Sequence, residues 1–298
     1  MTADVGVRSR SPRLLTTSSF VSPTWVRLAS FVVLVLVWQV AAWALTSETF
    51  VDDPYQRVRN AIYFPSPVVV AKAIWHSATH TSGLTRNNIQ FLGLTFATSD
   101  LFFNIYQTLH RAVIAFVISM TLGGALGIAL GRIKALNRFF DGWVLLGLNM
   151  PALVIGILCY IWLGLNDTAL IIAVVINKVP LVAVTTREGA SAVQPDLLHV
   201  ARAFRLSRWQ TLQRVFLPQL YPYFMVAARN GIALIWKIVL VYELLGRSNG
   251  VGFMLANSFS TLDVDMLLAY AFSFIGVVML IEGFIVRPLE RRATAWRM

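Results

Sequence analysis

The chain has 298 residues, of which 57% are hydrophobic and 13% are charged, and its mean hydropathy is +0.68. A soluble domain carries about 25% charged residues, so this composition excludes an ordinary soluble domain and indicates a membrane protein. The net charge of +11 does not indicate nucleic-acid binding, because the basic residues stand in short blocks between long apolar runs. The single cysteine excludes a disulfide framework within the chain and any multi-cysteine metal site.

Six apolar runs along the chain are long enough to be membrane-spanning helices, each of which needs about 20 mostly apolar residues. They are predicted at about 28–45, 101–130, 142–164, 168–186, 221–245 and 266–286. The first run is longer than the roughly 7–15 apolar residues of a signal peptide, so we expect it to be retained as a helix. The sequence therefore predicts an all-α transmembrane fold with six spans.

The distribution of Lys and Arg predicts the orientation, because these residues concentrate in the cytoplasmic segments of membrane proteins. With a cytoplasmic N-terminus, the internal segments contain sixteen of them, the external segments five and the spans four. We therefore expect both termini in the cytoplasm. The predicted divisions are a cytoplasmic tail over 1–27, a first transmembrane helix over 28–45, an external segment with an amphipathic helix over 46–100, a five-helix core over 101–286 and a cytoplasmic tail over 287–298.

The internal segment 187–218 is too polar to enter lipid and too patterned to be a simple linker. Asp196 can cap a helix whose apolar stripe extends to Phe204, and Ser207 can cap a second helix, which Pro218 is expected to break. The stripe of an isolated loop would face water, so we expect a protein partner to cover it. The alternative is a solvated basic turn that only enforces the topology.

The spacing of this segment resembles the cytoplasmic signature of ABC importer permeases, Glu-Ala-Ala followed by Gly after three residues and by Ile-x-Leu-Pro after nine more. The matching residues are His199-Val200-Ala201, Arg205 and Val215-Phe216-Leu217-Pro218. Further fragments are similar to the nitrate, sulfonate and taurine branch of these importers, and the resemblance covers about residues 62–297. These fragments are Phe64-Pro65-Ser66-Pro67, Pro195-Asp196-Leu197-Leu198, Ala201-Arg202-Ala203-Phe204, Ser207-Arg208-Trp209-Gln210, Glu243-Leu244-Leu245-Gly246, Gly250-Val251-Gly252 and Leu289-Glu290-Arg291-Arg292.

Two residues depart from the signature, because His199 stands in place of its Glu and Arg205 in place of its Gly. In the family that Gly separates two short helices, and glycine is used where the backbone needs freedom. Arg205 either breaks the helix less sharply or contacts an acidic site on the ATPase.

The resemblance implies a six-span type I importer permease in the bacterial plasma (inner) membrane, surrounded by lipid. Its partners would be a pair of ATP-binding subunits, an external substrate-binding protein and a second permease copy forming a homodimer, with no nucleic acid. ATP and Mg would lie on the ATPase, and this chain would be a non-catalytic subunit without a cofactor, since no segment has the spacing of a Gly-rich phosphate loop. The residues expected to couple it to the ATPase are Pro195, Asp196, His199, Ala201, Arg202, Phe204, Arg205, Leu206, Ser207, Leu217 and Pro218.

Four basic residues lie within predicted spans, where an ionisable group costs roughly 2.5–3.5 kcal/mol near the helix centre. Three of them, Lys178, Arg229 and Lys237, are therefore candidates for a translocation path that attracts an anion. Alternatively, they pair internally with Glu243 or Glu282 or extend to the membrane interface, and we favour this interpretation for Arg229.

Two further patterns lie inside the predicted spans. Asn149-Met150-Pro151 places a polar residue and a helix breaker in the third span, so Asn149 either borders the path or marks an ordinary kink. Gly123, Gly127 and Gly131 recur on one face of the second span, a spacing that lets helices approach closely. We expect them to pack within the chain rather than between subunits.

The predicted function is that of a permease subunit importing a small solute, and the solute is expected to be an anion such as a sulfonate, taurine or nitrate. The alternatives are the same machinery carrying an uncharged solute resembling a thiamine precursor, or an ion-coupled secondary transporter. A membrane enzyme would require clustered His, Asp or Ser groups at one membrane face, and the sequence has no such cluster.

Overall fold

Every predicted apolar run is helical in the computed structural model, which describes residues 23–80, 88–91 and 94–288. The tail 1–22 and the chain from 289 onward lie outside the described residues. The helices are α1 Pro23–Thr46, α2 Pro54–Tyr63, α3 Pro67–Thr79, α4 Asp100–Arg132, α5 Lys134–Asn149, α6 Ala152–Leu163, α7 Asp167–Ser191, α8 Pro195–Ala203, α9 Arg208–Thr211, α10 Leu217–Gly246, α11 Val251–Ser260 and α12 Val264–Ile281. Two π-helical turns, Leu212–Phe216 and Glu282–Val286, precede α10 and follow α12.

Five helical stretches in the described part of the chain are long and apolar enough to cross a membrane. They are Leu28–Thr46, Asp100–Arg132, Asp167–Ser191, Arg208–Gly246 and Val264–Val286. The pair α5 and α6 passes the same test only when its two helices are taken together, which gives six spans. The nearly all-helical, multi-span prediction is therefore confirmed.

The third predicted span, 142–164, is not one continuous helix. α5 begins earlier, at Lys134, and ends at Asn149, and the axes of α5 and α6 differ by 96°. Pro151 contributes to the break, because it lacks an N–H and restricts Met150, which is extended at φ −67° and ψ 126°. α6 has 12 residues, so it is about 18 Å long and too short to cross the bilayer alone.

The predicted external segment contains more regular structure than the single amphipathic helix expected there. It contains α2, α3 and a short antiparallel hairpin of β1 Asn88–Phe91 and β2 Leu94–Ala97, in which Asn88 lies opposite Ala97. The chain divides into two units, Met1–Ala61 and Ile62–Met298. The first unit contains α1 and most of α2, and within it Arg57 forms an ion pair of 2.6 Å with Glu48. The second unit contains the helices that carry the candidate sites.

The second unit is built around the close approach of α4 and α7. A Cβ atom at Gly123 would lie 2.7 Å from the Cβ of Val182, and one at Gly131 would lie 2.7 Å from the Cβ of Ala190. Gly127 faces the α7 backbone in the same way. The small-residue stripe therefore packs within the chain, as expected. α6, α10, α11 and α12 complete a shared apolar core around this pair of helices.

Candidate functional site

The polar segment between α7 and α10 forms a helical elbow, which we define as residues Pro195–Phe216. It is shorter than the predicted loop 187–218, because α7 continues to Ser191 and α10 begins at Leu217. Arg187 lies on α7 rather than in the loop, and it donates hydrogen bonds to Asn137 Oδ1 at 3.0 Å and Asp141 Oδ1 at 2.5 Å. Arg187 thus joins α7 to α5.

The first helix of the elbow, α8, begins one residue before the predicted cap. Its N-cap is Gln194, and Pro195 occupies the first turn, where its missing N–H leaves no intrahelical bond unmade. Asp196 is therefore not the cap, but its carboxylate lies in the first turn, where it interacts favourably with the positive end of the helix dipole. The Gln194 N–H donates to Gln219 Oε1 at 3.0 Å, which links the start of the elbow to the start of α10.

The bend between α8 and α9 is centred on Arg205, whose φ of +53° is in the left-handed region. The Leu206 N–H donates to the carbonyl of Ala201 at 3.0 Å, and the Arg205 N–H donates to the carbonyl of Arg202 at 2.9 Å. These two bonds form a Schellman motif, which usually has glycine at its left-handed position. Arg205 therefore adopts the backbone conformation that glycine usually supplies.

The second helix of the elbow starts at Ser207, as predicted. Ser207 Oγ accepts from the Gln210 N–H at 3.2 Å, and Gln210 Oε1 accepts from the Ser207 N–H at 2.9 Å, which is a complete capping box. Pro218 does not break this helix, contrary to expectation. The wide π-helical turn Leu212–Phe216 precedes it, and the helix continues through Pro218 into α10, where the proline lies in the first turn.

The apolar side chains of the elbow divide into two groups. One group, Leu198 and Leu212, packs against a cluster formed by Ala190, Val193, Phe216 and Leu220 at the ends of α7 and α10. The other group remains exposed, and it contains Leu197, Val200, Phe204 and Trp209. Phe204 is 77% exposed and Trp209 is 64% exposed. The chain thus holds the elbow in place from one side and leaves an apolar surface on the other.

A cavity of about 480 Å³ lies between α10 and α12. Its lining is mostly apolar, and it includes the charged residues Arg229 and Lys237 of α10 and Glu282 at the start of the second π-helical turn. Glu282 also lies 3.7 Å from Arg287. Two of the four residues predicted to line a path are therefore together in one cavity.

The face of α10 beside this cavity is unusual for a membrane helix. Arg229, Asn230 and Lys237 are exposed on it, although α10 is part of a candidate span. Lys237 has no hydrogen bond or ion pair within the described residues. A lipid-facing ammonium group is costly in the interior of a bilayer, so this face fits a water-filled path or a protein neighbour better than lipid.

The other two predicted path residues lie elsewhere. Lys178 is 4% exposed on α7, and among the residues that the structure describes it has neither a hydrogen bond nor an ion pair. Asn149 lies at the end of α5, where its amide donates to the carbonyl of Leu145 at 2.8 Å. Neither side chain lines the α10–α12 cavity.

An ionic network that the sequence did not predict lies beside the turn between α10 and α11, and its two central residues, Arg111 and Glu243, are buried. Arg111 of α4 donates to Asp167 Oδ1 at 2.6 Å, to Glu243 Oε1 at 2.5 Å and to the carbonyl of Asn249 at 3.0 Å, and it also donates to the Asn249 side chain. Arg247 lies 3.1 Å from Asp167. The network joins α4, α7, α10 and the chain that leads into α11.

The remaining oxygen of Glu243 is also satisfied. Glu243 Oε2 accepts from Thr108 Oγ1 at 2.8 Å and from the Gly252 N–H at 2.9 Å. Asn104 Oδ1 accepts from the N–H of Gly250, whose φ of +102° requires glycine. The signal for this cluster was present in α4, because Asn104, Thr108 and Arg111 recur at helical spacing on one face.

Comparison with known proteins places the chain among membrane transport components. A family model described as binding-protein-dependent transport system inner membrane component matches residues 119–293. The putative aliphatic sulfonates transport permease protein SsuC of Bacillus subtilis (strain 168) is 27% identical over 200 residues, covering 67% of this chain and 72% of that protein. The taurine transport system permease protein TauC of Escherichia coli (strain K12) is 24% identical over 265 residues, covering 89% and 86%.

A third relative and two solved structures agree with these matches. The nitrate import permease protein NrtB of Synechocystis sp. is 26% identical over 189 residues, covering 61% of this chain and 66% of that protein. An inward-facing structure of the MetNI methionine ABC transporter has a TM-score of 0.57 at 16% identity, covering 65% of this chain and 95% of that one. An amino acid ABC transporter crystallised with histidines has a TM-score of 0.54 at 20% identity, covering 64% and 93%. The two structures show a shared fold.

Proposed function

Because the chain belongs to the family of binding-protein-dependent transport system inner membrane components, we propose that it forms half of the translocation path of an importer for a small anion. Two copies of the chain would form the path, and both termini would lie in the cytoplasm. Two ATP-binding subunits, which hold ATP and Mg, would drive transport, and an external binding protein would deliver the solute. This chain would be the non-catalytic subunit. Membership of this family argues against the ion-coupled alternative.

The observation that carries this proposal is the elbow Pro195–Phe216, in a chain of this family. One side of it is packed on the ends of α7 and α10, and Phe204 and Trp209 on the other side are exposed. A partner bound to such an elbow would move two spans together, since the elbow packs on the ends of both. The proposed contact surface consists of Pro195, Asp196, His199, Arg202, Phe204, Arg205 and Ser207, with Ala201 and Leu206 forming the bend and Leu217 and Pro218 leading into α10.

The proposed mechanism is mechanical. Closure of the ATP-binding subunits would bring the elbows of the two permease copies together and switch the spans between inward- and outward-open arrangements, as a rigid-body transition. α8, the Schellman bend and α9 suit this role, because a hydrogen-bonded elbow transmits displacement better than an irregular loop.

The α10–α12 cavity supports a path for an anionic solute. Arg229 and Lys237 supply positive charge, and the apolar lining accommodates an organic group. Lys178 and Asn149 remain path candidates for the assembled importer. Solute uptake by the Lys237→Met variant tests the cavity directly. We expect the uptake rate to fall about tenfold or more while the importer assembles normally, since one charged hydrogen bond contributes about 1.5–3 kcal/mol. Uptake at the wild-type level in this variant would show that the cavity is not part of the translocation path.

The solute class follows from the relatives, which are permeases named for aliphatic sulfonates, taurine and nitrate. We propose a sulfonate, taurine or nitrate for this chain on the same basis. An uncharged solute would bind the same cavity without needing Lys237, so the Lys237→Met variant also distinguishes this alternative.

Assembly tests the proposal at its first step. The chain, co-expressed with its cognate ATP-binding subunit and purified through a tag on the chain, should retain that subunit, and its presence should change the rate of ATP hydrolysis. Purification of the chain without the subunit under conditions that preserve both folds would contradict the proposal.

A further inference from the structure

The first unit of the chain contains a short helical hairpin at the C-terminal end of α1. Asn60 of α2 donates a hydrogen bond to the carbonyl of Leu45, in the last turn of α1, at 2.9 Å. Arg57, almost one turn earlier in α2, forms its ion pair of 2.6 Å with Glu48, just beyond α1. The two contacts run in opposite directions along the two segments. α2 therefore turns back along the end of α1 instead of leading away from it.

The depth of this hairpin in a membrane follows from the length of α1. The spanning stretch Leu28–Thr46 has 19 residues, which corresponds to about 28 Å of helix. The hydrocarbon core of a bilayer is about 30 Å thick, so the two ends of this stretch lie at the two surfaces. Most of its side chains are exposed in the chain, so α1 faces lipid. Because α2 is bonded to the last turn of α1, it is held at the level of the lipid headgroups.

The two faces of α2 have different surroundings. Tyr55 precedes Arg57 by two positions, and Val58 precedes Asn60 by two, which is about 200° around a helix in each case. Tyr55 and Val58 therefore point away from the end of α1, and their exposed fractions are 88% and 64%. Tyrosine is enriched at the membrane surface, and the apolar face of an interfacial helix lies at the boundary of the acyl chains. The outward face of α2 fits this boundary.

Two further aromatic side chains lie at the same end of α1. Trp43 is in the last turn of α1 and Phe50 is in the connection to α2, and their rings pack edge to face with centroids 5.8 Å apart. Both side chains are largely exposed. Aromatic residues concentrate at the two surfaces of a bilayer. The lipid-facing surface of α1 therefore continues onto the hairpin.

The charged residues of the hairpin are ordered along α2. Asp52 and Asp53 stand at its start, where Asp53 Oδ1 accepts from the Tyr55 N–H at 2.9 Å. Arg59 lies more than one turn further on, and it is closer to the bilayer because α2 turns back along α1. Arg59 is exposed, and among the residues that the structure describes it has neither a hydrogen bond nor an ion pair. A guanidinium group binds phosphate through two parallel hydrogen bonds.

We propose that α2 is a membrane-interface helix, which lies against the phospholipid surface with Tyr55 and Val58 at the boundary of the acyl chains and Arg59 bound to a lipid phosphate. Arg57 and Asn60 fix α2 on α1, so the lipid contact sets the depth of the first span. Lipid is the occupant of the exposed face, because this face continues the lipid-facing surface of α1. The inference requires only that α1 crosses a bilayer, and it goes beyond the proposed function.

Spin labelling of the full-length chain in nanodiscs of phosphatidylethanolamine and phosphatidylglycerol tests the position of α2. Cys159 is the single cysteine, so a Cys159→Ala background gives one label per variant. The label in Val58→Cys should be more accessible to oxygen, which concentrates among the acyl chains, than to a water-soluble nickel chelate. Gln56→Cys is the matched control, because Gln56 is exposed on the same helix about 160° around from Val58. Its label should show the opposite order.

A second measurement tests the phosphate contact. The affinity of the detergent-purified chain for added phosphatidylglycerol, measured by native mass spectrometry, should fall about fivefold in Arg59→Gln, which is the contribution of one basic residue at a membrane surface. Arg57→Gln is the control, because Arg57 is already paired with Glu48, and it should bind the lipid as the wild-type chain does. Equal affinity of the wild-type chain and Arg59→Gln would overturn the phosphate contact.

The spin labels also identify the other possible occupants of this face. A label at position 58 that is more accessible to nickel than to oxygen would place the face in water and overturn the inference. A label inaccessible to both reagents would show that protein covers the face, and dipolar broadening between labels would identify that protein as a second copy of the chain. Each of these results leaves the proposed function standing, since solute uptake and purification with the ATP-binding subunit test it separately.

Discussion

Arg111 and Glu243 are 132 positions apart in the sequence, and a hydrogen bond of 2.5 Å joins Arg111 Nη1 to Glu243 Oε1. Arg111 is 1% exposed and Glu243 is fully buried. Every oxygen of Glu243 is satisfied, by Arg111 on one side and by Thr108 and the Gly252 N–H on the other. The contact fixes the relative positions of α4, α10 and α11.

Removing one member of this pair should destabilise the protein strongly. We expect Arg111→Met to lower the free energy of unfolding by about 3–5 kcal/mol, because it leaves the Glu243 carboxylate buried without a counter-charge. The double variant Arg111→Met with Glu243→Gln should lose less than the sum of the two single changes. Thermal unfolding of the purified proteins measures both effects. Arg138→Met serves as the surface control, and strictly additive losses would show that the two groups are not coupled.

The contact between α4 and α7 should not tolerate a methyl group. In Gly127→Ala the added Cβ would lie 2.7 Å from the Cβ of Thr186 and 3.0 Å from the Arg187 N, so we expect a loss of about 1–3 kcal/mol of stability. Gly142→Ala is the matched control, because a Cβ at Gly142 meets nothing within 4 Å. That change should be neutral or stabilise α5 by about 0.5–1 kcal/mol. Equal stability of the two variants would contradict the described packing.

Arg205→Gly should make the isolated chain more stable while weakening its assembly. The left-handed conformation at φ +53° costs a non-glycine residue about 1–2 kcal/mol, and glycine removes most of this strain. Arg202→Gly, within α8, should instead lower stability by about 1 kcal/mol. Thermal unfolding without the partner gives the comparison, and a destabilised Arg205→Gly would refute the assignment of strain to this residue.

Lys178→Met should raise stability and reduce uptake. Lys178 is buried on α7 without a partner among the described residues, so replacing its ammonium group with a thioether of similar length removes an uncompensated charge. An intramembrane ionisable residue that is kept at such a cost is expected to have a function, and the proposed function for Lys178 is on the path of an anion. Unfolding temperature and solute uptake should therefore change in opposite directions. Wild-type uptake by a well-expressed Lys178→Met variant would show that Lys178 has no role in the translocation path.

Local features of this chain were predictable from the sequence, because they depend on residues close together. The six apolar runs became helices, since 20 apolar residues in lipid have few other ways to satisfy their backbone. Ser207 and Gln210 formed their capping box, since both residues lie within one turn. The left-handed turn at Arg205 was indicated only by the glycine of the similar family, since arginine itself gives no such signal.

Features that depend on distant residues were not predictable. The helical spacing of Asn104, Thr108 and Arg111 indicates a polar face on α4, but no local pattern identifies Glu243 or Asp167 as the partners of that face. The 96° bend at Pro151 follows from packing as well as from the proline, since Pro180 and Pro222 remain inside continuous helices. Pro218 was expected to break the helix, but the π-helical turn Leu212–Phe216 precedes it and the proline lies in the first turn of α10.

The most direct test of the account is uptake by proteoliposomes that contain this chain and its cognate ATP-binding subunit. Taurine, an alkanesulfonate and nitrate would each be supplied outside with the external binding protein, and ATP would be enclosed at the cytoplasmic side. We predict accumulation of one of these anions that requires the chain, ATP hydrolysis and the binding protein together. Accumulation driven by an ion gradient in the absence of ATP and the ATP-binding subunit would contradict the account.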